Sequence, residues 1–402
     1  MVEQTNVPQP LDGIRVLDLG QIYMGPYCGK LLGHLGADVI KIEPPGGENV
    51  RYRSDEDESI EVQLLNPSKR GIELDLKQEC GKDVLRDLVA ESDVLIENFA
   101  TGKLNDLGVG YDNLSSINPE LIYAHGSGFG DEGPYSDHPA MDLTIQAMGG
   151  VLHTTGFEDS PPVKAGPAVS DFTGAINLAV GIVSALFQRE QTGKGQYVEV
   201  GMFDTLYPLL ASPVSAWARQ NDTPPRTGNR HPGLALAPYN VYEAGDGYVA
   251  VICVTNKHWR DLLRVIDREE LISDGRFDNK VKRAENVDQI DAIIEEWIDD
   301  RSKQNVVDDL IEKDIPAAPV LSIEEITEDP HLNHRDMLNY IPNKGSGRQE
   351  LPVAGMPIKF SKNNDPTIES SPGLGEHSHE VLSQVIDYSD ENIQKLRDEN
   401  VI

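Results

Sequence analysis

The sequence predicts an α/β protein in which a Rossmann-like large domain with a parallel sheet is joined to a smaller α/β domain. Two observations carry that expectation. From Ile14 to His125, short β-branched runs alternate with helical stretches, the grammar of parallel strands connected by crossover helices. Pro224-Pro225 and Gly228 then interrupt the chain before a second set of strand and helix signals.

Taken in order, Ile14 to Leu19 reads as the first strand, Gly25-Pro26 opens a helical stretch to Leu35, and Asp38 to Ile42 reads as the second strand. Gly71 to Leu76, a helix from about Gly81 to Ser92, and strands at Val94 to Ile96 and Leu121 to His125 continue the alternation. After the first strand, Asp18 to Pro26 lacks the GxGxxG spacing of a dinucleotide loop, and no P-loop occurs, which weakens nicotinamide redox chemistry and nucleotide hydrolysis as readings. From Met141 the chain turns Gly- and Ala-rich. A long apolar helix follows Asp171, then a strand at Gln196 to Val200 and a helical stretch from Met202. Beyond the break, Gly247 to Val254 reads as a strand, and Ile290, Ile293, Ile294 and Trp297 have the spacing of one helix face. Loops are expected at Gly345 to Gly347 and Pro372 to Glu376, before a closing amphipathic helix. The expected domains are 1–225, 226–325, and a C-terminal segment 326–402 that returns to the large domain.

Lys and Arg number 35 against 67 Asp and Glu, a formal charge of -32, so nucleic acid is not an expected partner. The excess is spread over Asp55 to Glu58, Glu295 to Asp300 and Asp387 to Glu391, instead of forming one tail. Such a surface repels itself at low salt, whereas at molar salt the Debye length falls to about 3 Å. A halophilic source is therefore expected. Cys28, Cys80 and Cys253 have no zinc or disulfide spacing, so no metal is expected and a reducing cytoplasm fits. Met1 to Pro10 does not read as a signal peptide, and Phe172 to Gln188 reads as a buried helix instead of a membrane span.

Asp171 precedes the long apolar helix within Ala168-Val169-Ser170-Asp171-Phe172-Thr173-Gly174. By its residue type and place it is either an N-cap or a partly desolvated nucleophile held at a helix N-terminus. Sequence physics leaves both open.

Several stretches in order then bear on the choice: Pro10 to Asp18, Gly25-Pro26, Leu35 to Glu43, Asn66 with Lys69 to Asp75, and Asp93 to Phe99. Gly149-Gly150, Thr154 to Gly156, the Asp171 segment, Gln191 to Gln196 and Pro372 to His377 follow. Together they resemble the class III (CaiB/BaiF) CoA-transferases, formyl-CoA transferase among them, nearly end to end. The resemblance implies that Asp171 is the catalytic nucleophile and that coenzyme A enters as an acyl-CoA substrate, with a carboxylic acid as second substrate. It also implies a homodimer of interlocked chains and no metal. Its CoA contacts fall on Tyr23, Lys69, Arg70, Asn98, Met141 and Asp142. The glycine-rich loop of Gly228, His231 and Gly233 is the candidate for substrate and oxyanion contacts, with an ordinary linker as its other reading.

The chain departs from formyl-CoA transferase at Tyr23, Pro44 and Asp106, where that enzyme has a glutamine and two arginines, which argues against oxalate and formate. Succinyl-CoA is the expected donor, and a C4 or C5 dicarboxylate such as mesaconate, malate or itaconate the expected acceptor. Arg51, Arg53, Arg230 or His231 is the expected partner of a second carboxylate. Two other readings remain. An α-methylacyl-CoA racemase would need a histidine where Met141 stands, or a shifted His125 or His138, and both of these read as exposed loop residues. A non-catalytic acyl-CoA binder would have no need of Asp171.

Overall fold

The computed structural model describes residues 7–53, 59–219 and 224–402; the acidic run Asp55 to Glu58 and the first six residues of the Met1 to Pro10 stretch lie outside the described residues. The chain forms two compact units, one of residues 1–145, 167–206 and 327–402, the other of residues 146–166 and 207–326. The second unit thus takes in 146–166 and, among the described residues, 207–219 and 224–225, which the sequence reading gave to the large domain. Pro224-Pro225 looked like a boundary because proline and glycine punctuate local structure, but contacts made at a distance decide which unit a segment joins.

In the first unit, β1 (Arg15–Asp18), β2 (Asp38–Glu43), β3 (Arg70–Glu73), β4 (Val94–Glu97), β5 (Ile122–Ser127) and β6 (Gln196–Gly201) form one sheet. Its order is β3-β2-β1-β4-β5-β6 and every pairing is parallel. This is the doubly wound order, in which β1 and β4 are neighbours and the connections reverse direction between them. The central strands are almost continuously apolar, with Val16, Leu17, Ile40, Val94, Leu95 and Ile96 inaccessible, because both faces of the sheet are covered. Val381, Leu382, Ile393 and Leu396 from the C-terminal helices Ser378–Val385 and Asp390–Asp398 join the same core.

The first helix, Met24–His34, carries Pro26 in its opening turn, where a missing N–H costs nothing. Gly20 and Gly25 let the β1 exit loop and this helix touch, since a Cβ on either would lie 2.5 Å from the other's Cα. The helix Val169–Thr192 connects β5 to β6 and stops at Gly193, whose φ of +64° is left-handed. Leu178, Ile182, Ala185 and Leu186 are buried, but Ile176, Val180, Val183 and Phe187 are exposed, the last by 70%. The helix expected to be buried is thus buried on one face and exposed on the other. Apolar composition alone does not tell which side of a helix the rest of the chain covers. By length and composition this helix could cross a membrane.

The second unit contains the antiparallel sheet of β7 (Tyr239–Ala244), β8 (Gly247–Ile252) and β9 (Ala317–Pro319), with its own core of Val249, Trp259, Leu262, Ile290, Ile294 and Leu310. In the first unit β10 (Leu338–Pro342) and β11 (Glu350–Ala354) make a hairpin, with Gly345 to Gly347 in its turn.

Candidate active site

Asp171 stands in the first turn of the helix Val169–Thr192, and the N-cap is Ala168, which makes no side-chain cap. The N-cap reading of Asp171 is thereby excluded. Its carboxylate is 9% exposed and accepts no hydrogen bond among the described residues. Burial, then the charge of Asp142, pushes its pKa up to about 7, against an opposite pull from Arg53. Asp142 begins the helix Asp142–Met148 and is fixed by Ser170, which donates to it through its N–H at 3.0 Å and through its hydroxyl. Both carboxylates line a cavity of about 430 Å³ together with Ile22, Asn98, Met141 and Met202. The wall comes from segments that follow β1, β4, β5 and β6, the carboxyl ends of the strands, where open parallel sheets place ligands.

The β1 exit is held under strain. Ile22 has φ +65°, a left-handed conformation that a β-branched residue avoids. Its N–H donates to Glu48 at 2.7 Å, and Glu48 is paired with buried Lys41 at 3.1 Å. Asn98 brackets the same turn, accepting from the Gln21 N–H at 2.7 Å and donating to the Gln21 carbonyl at 3.0 Å. Asn98 thus lines the cavity while its amide is held by Gln21. Tyr23 donates no cap to the first helix; its hydroxyl accepts from Arg53 Nη1 at 2.9 Å.

Lys69 and Arg70, the CoA contacts that the resemblance implies, are both paired with acidic side chains within the protein. Lys69 is buried, with its ammonium on Asp18 at 2.6 Å, the Pro26 carbonyl at 2.8 Å and Asn66 at 2.8 Å. Arg70 pairs with Asp38 at 2.6 Å and Glu380 at 3.2 Å. Neither lines the Asp171 cavity. Two lysines the sequence reading did not single out are better placed for anionic groups. Lys77 and Lys103 are exposed and flank an apolar cleft of about 160 Å³ walled by Leu19, Ile42, Leu74 and Leu104. No local sequence signal marks them, since Asp75, Glu79 and Asp106 lie close by in sequence.

His125 is buried on β5, not exposed as expected, and lines a second cavity of about 260 Å³. Its Nδ1 meets Asp131 at 2.9 Å and the Tyr197 hydroxyl at 3.1 Å, and its Nε2 lies 3.1 Å from the Phe99 carbonyl. Burial opposes its charge, but the Asp131 hydrogen bond and the charge of Glu97 overcome this and raise its pKa to about 9. His138 lines the Asp171 cavity, its ring tilted against Tyr135 with centroids 5.2 Å apart.

Gly228, His231 and Gly233 belong to the second unit. Gly228 and Gly233 have φ of +60° and +80°. The Gly228 N–H donates to the Gly156 carbonyl at 2.9 Å, so it is not a free oxyanion donor in this structure, and the His231 ring packs edge-on against Tyr239. Gly228, but neither His231 nor Gly233, lines a cavity of about 400 Å³ within that unit. Among the residues named for a second carboxylate, Arg51 forks onto Glu43 at 2.8 and 2.6 Å and Arg230 pairs with Asp288 and Asp291, both at 2.7 Å.

The family model of CoA-transferase family III matches residues 11–378. The chain is 38% identical to succinyl-CoA:mesaconate CoA-transferase of Haloarcula hispanica, over 93% of this chain and 96% of that one. It is 37% identical to formyl-CoA:oxalate CoA-transferase of Streptomyces avermitilis, over 98% and 99%. The crystal structure of a CaiB/BaiF family protein from Brucella suis superposes with a TM-score of 0.83 at 34% identity, covering 94% of this chain and all of that one.

Proposed function

This chain belongs to CoA-transferase family III, and we propose that it moves CoA from succinyl-CoA to a small dicarboxylate through covalent intermediates on Asp171. The single observation that carries the role of Asp171 is a buried carboxylate without a hydrogen-bond donor, on the wall of a cavity at the carboxyl ends of the strands. The dicarboxylate is supported by the Haloarcula relative, which acts with succinyl-CoA and mesaconate.

In this reading an Asp171 oxygen attacks the thioester carbonyl, the C–S bond breaks, and a mixed anhydride forms as CoA thiolate leaves. The thiolate attacks Cγ of Asp171, giving an aspartyl-CoA thioester and releasing succinate. The acceptor carboxylate then attacks that Cγ, the thiolate leaves again, and its attack on the acceptor's acyl carbon frees Asp171 and forms the new acyl-CoA. A thioester is consumed and a thioester is made, so no oxidant or external energy source enters. Raising Asp171 to about 7 makes it a stronger base and nucleophile than a solvated aspartate. Acylation removes its charge from beside Asp142, so burial and repulsion disfavour the free carboxylate relative to the acylated one.

The apolar cleft beside Lys77 and Lys103 suits the adenosine end of CoA, with the lysines on its phosphates. A homodimer is part of this proposal, supported by the exposed Ile176, Val180, Val183 and Phe187 stripe on the Asp171 helix. So are a cytoplasmic location and a halophilic habit, the latter supported by the charge of -32. Light scattering and melting curves across a KCl series should show a dimer whose Tm rises with salt; a monomer, or a flat or falling Tm, removes that part. The reaction itself is tested by intact-mass analysis after incubation with succinyl-CoA. A CoA adduct that maps to Asp171 and discharges on adding mesaconate is expected, and a protein that binds acyl-CoA without any adduct contradicts it.

A further inference from the structure

We propose that Arg53 receives the distal carboxylate of a dicarboxylate substrate at this site, and so sets the preference for diacids over monoacids. The inference rests on the transferase reading above and adds the residue that recognises the substrate's second charge.

The Asp171 cavity is hostile to a dianion. Asp137, Asp142 and Asp171 line it, no lysine or arginine among the described residues does, and the chain as a whole is strongly acidic. A diacid arriving with one carboxyl group at Asp171 therefore needs a cation from just beyond that wall. Arg53 has this position. Its guanidinium lies 5.4 Å over the Tyr23 ring and hydrogen-bonds the Tyr23 hydroxyl at 2.9 Å. The Tyr23 ring is in turn 6.1 Å from the ring of Phe172, the residue after Asp171. Phe172 is wedged edge-on against Tyr27 at 4.8 Å, so the stack from guanidinium to nucleophile is braced. The charge of Arg53 reaches Asp171, whose pKa it pulls down.

Arg53 also keeps most of its binding capacity. The one acid within ion-pair distance among the described residues is Glu61 at 3.7 Å, with both side chains about two-fifths exposed, a weak arrangement. Glu61 already accepts from the Ser59 hydroxyl at 2.7 Å. Arg51, two residues earlier, shows the contrast: it is 3% exposed and fully forked onto Glu43. The short helix Asn49–Tyr52 turns one arginine into the core and leaves the next facing outward, with a planar fork that matches a carboxylate.

The test compares single-turnover CoA loading of the full-length protein from succinyl-CoA and from butyryl-CoA, which differ in the distal carboxylate. Wild type should load faster from succinyl-CoA. Arg53→Gln should lower loading from succinyl-CoA by about 50-fold more than loading from butyryl-CoA, and Arg53→Lys should recover part of that difference. Equal losses from both donors assign Arg53 to holding Tyr23 and overturn the proposal. So does an undiminished rate with succinyl-CoA, or a wild type that does not distinguish the donors. A wild type that loads from neither donor overturns the succinyl-CoA reading instead.

Discussion

Asp171 and Asp131 are carboxylates of one unit, each beside a cavity near the carboxyl ends of the same sheet, and they are treated in opposite ways. Asp131 takes the Tyr197 hydroxyl at 2.6 Å, the His125 ring at 2.9 Å and a backbone position fixed by Glu199 at 2.8 Å. Burial would raise its pKa, but His125 and Tyr197 hold it well below the usual carboxylate range. Asp171 has no such donors, and burial and Asp142 raise it to about 7. A carboxylate held by a hydroxyl and an ion pair fixes structure, and one without such partners beside an open cavity is available for chemistry.

The largest expected effect breaks the comparison outright. Asp171→Ala should lower transfer by about a thousandfold or more while circular dichroism stays native, because in the proposed mechanism Asp171 carries both the acyl group and CoA. Asp131→Ala should leave a substantial part of the rate and act mainly on stability. Turnover of Asp171→Ala above about one per cent of wild type would move the nucleophile elsewhere.

A middle-sized effect sharpens it. In wild type kcat/KM should rise with pH through about 7 as Asp171 ionises. Asp142→Asn removes the neighbouring negative charge, so that rise should move to lower pH, with a plateau lower by roughly tenfold because a less basic carboxylate is a weaker nucleophile. An unmoved pH profile would show that burial alone tunes Asp171.

The smallest effect is on folding. Asp171 is raised from 3.8 to about 7, so the stability it contributes is full below 3.8 and lost as pH climbs through about 7. Asp171→Asn should therefore raise Tm by roughly 2–4 °C at pH 8 and by little at pH 4. His125, raised from 6.5 to about 9, contributes fully below 6.5 and loses its contribution as pH passes about 9. His125→Gln should thus cost Tm most at pH 6 and least at pH 10. Melting curves of both variants over that range decide the matter.

The amino-acid sequence by itself determined the parallel sheet, because a strand buried on both faces and the helix that returns from it leave local signatures in β-branched runs, Gly-Pro breaks and apolar spacing. It placed Asp171 at the start of its helix and ordered the stretches that resemble the family. It could not choose between cap and nucleophile, since that depends on whether Ala168 or Asp171 opens the helix and on Asp142, 29 residues away, standing beside it. Nor could it show that Lys69 meets Asp18 across 51 residues or that Arg70 meets Asp38, pairings that already engage the two cations the resemblance assigned to CoA. Arg51 and Arg53 are alike by residue type and only two positions apart, yet one is buried on Glu43 and the other faces Tyr23. Charge is written in the sequence, but its partner is chosen by the fold, because electrostatic pairing acts through space and burial sets its strength.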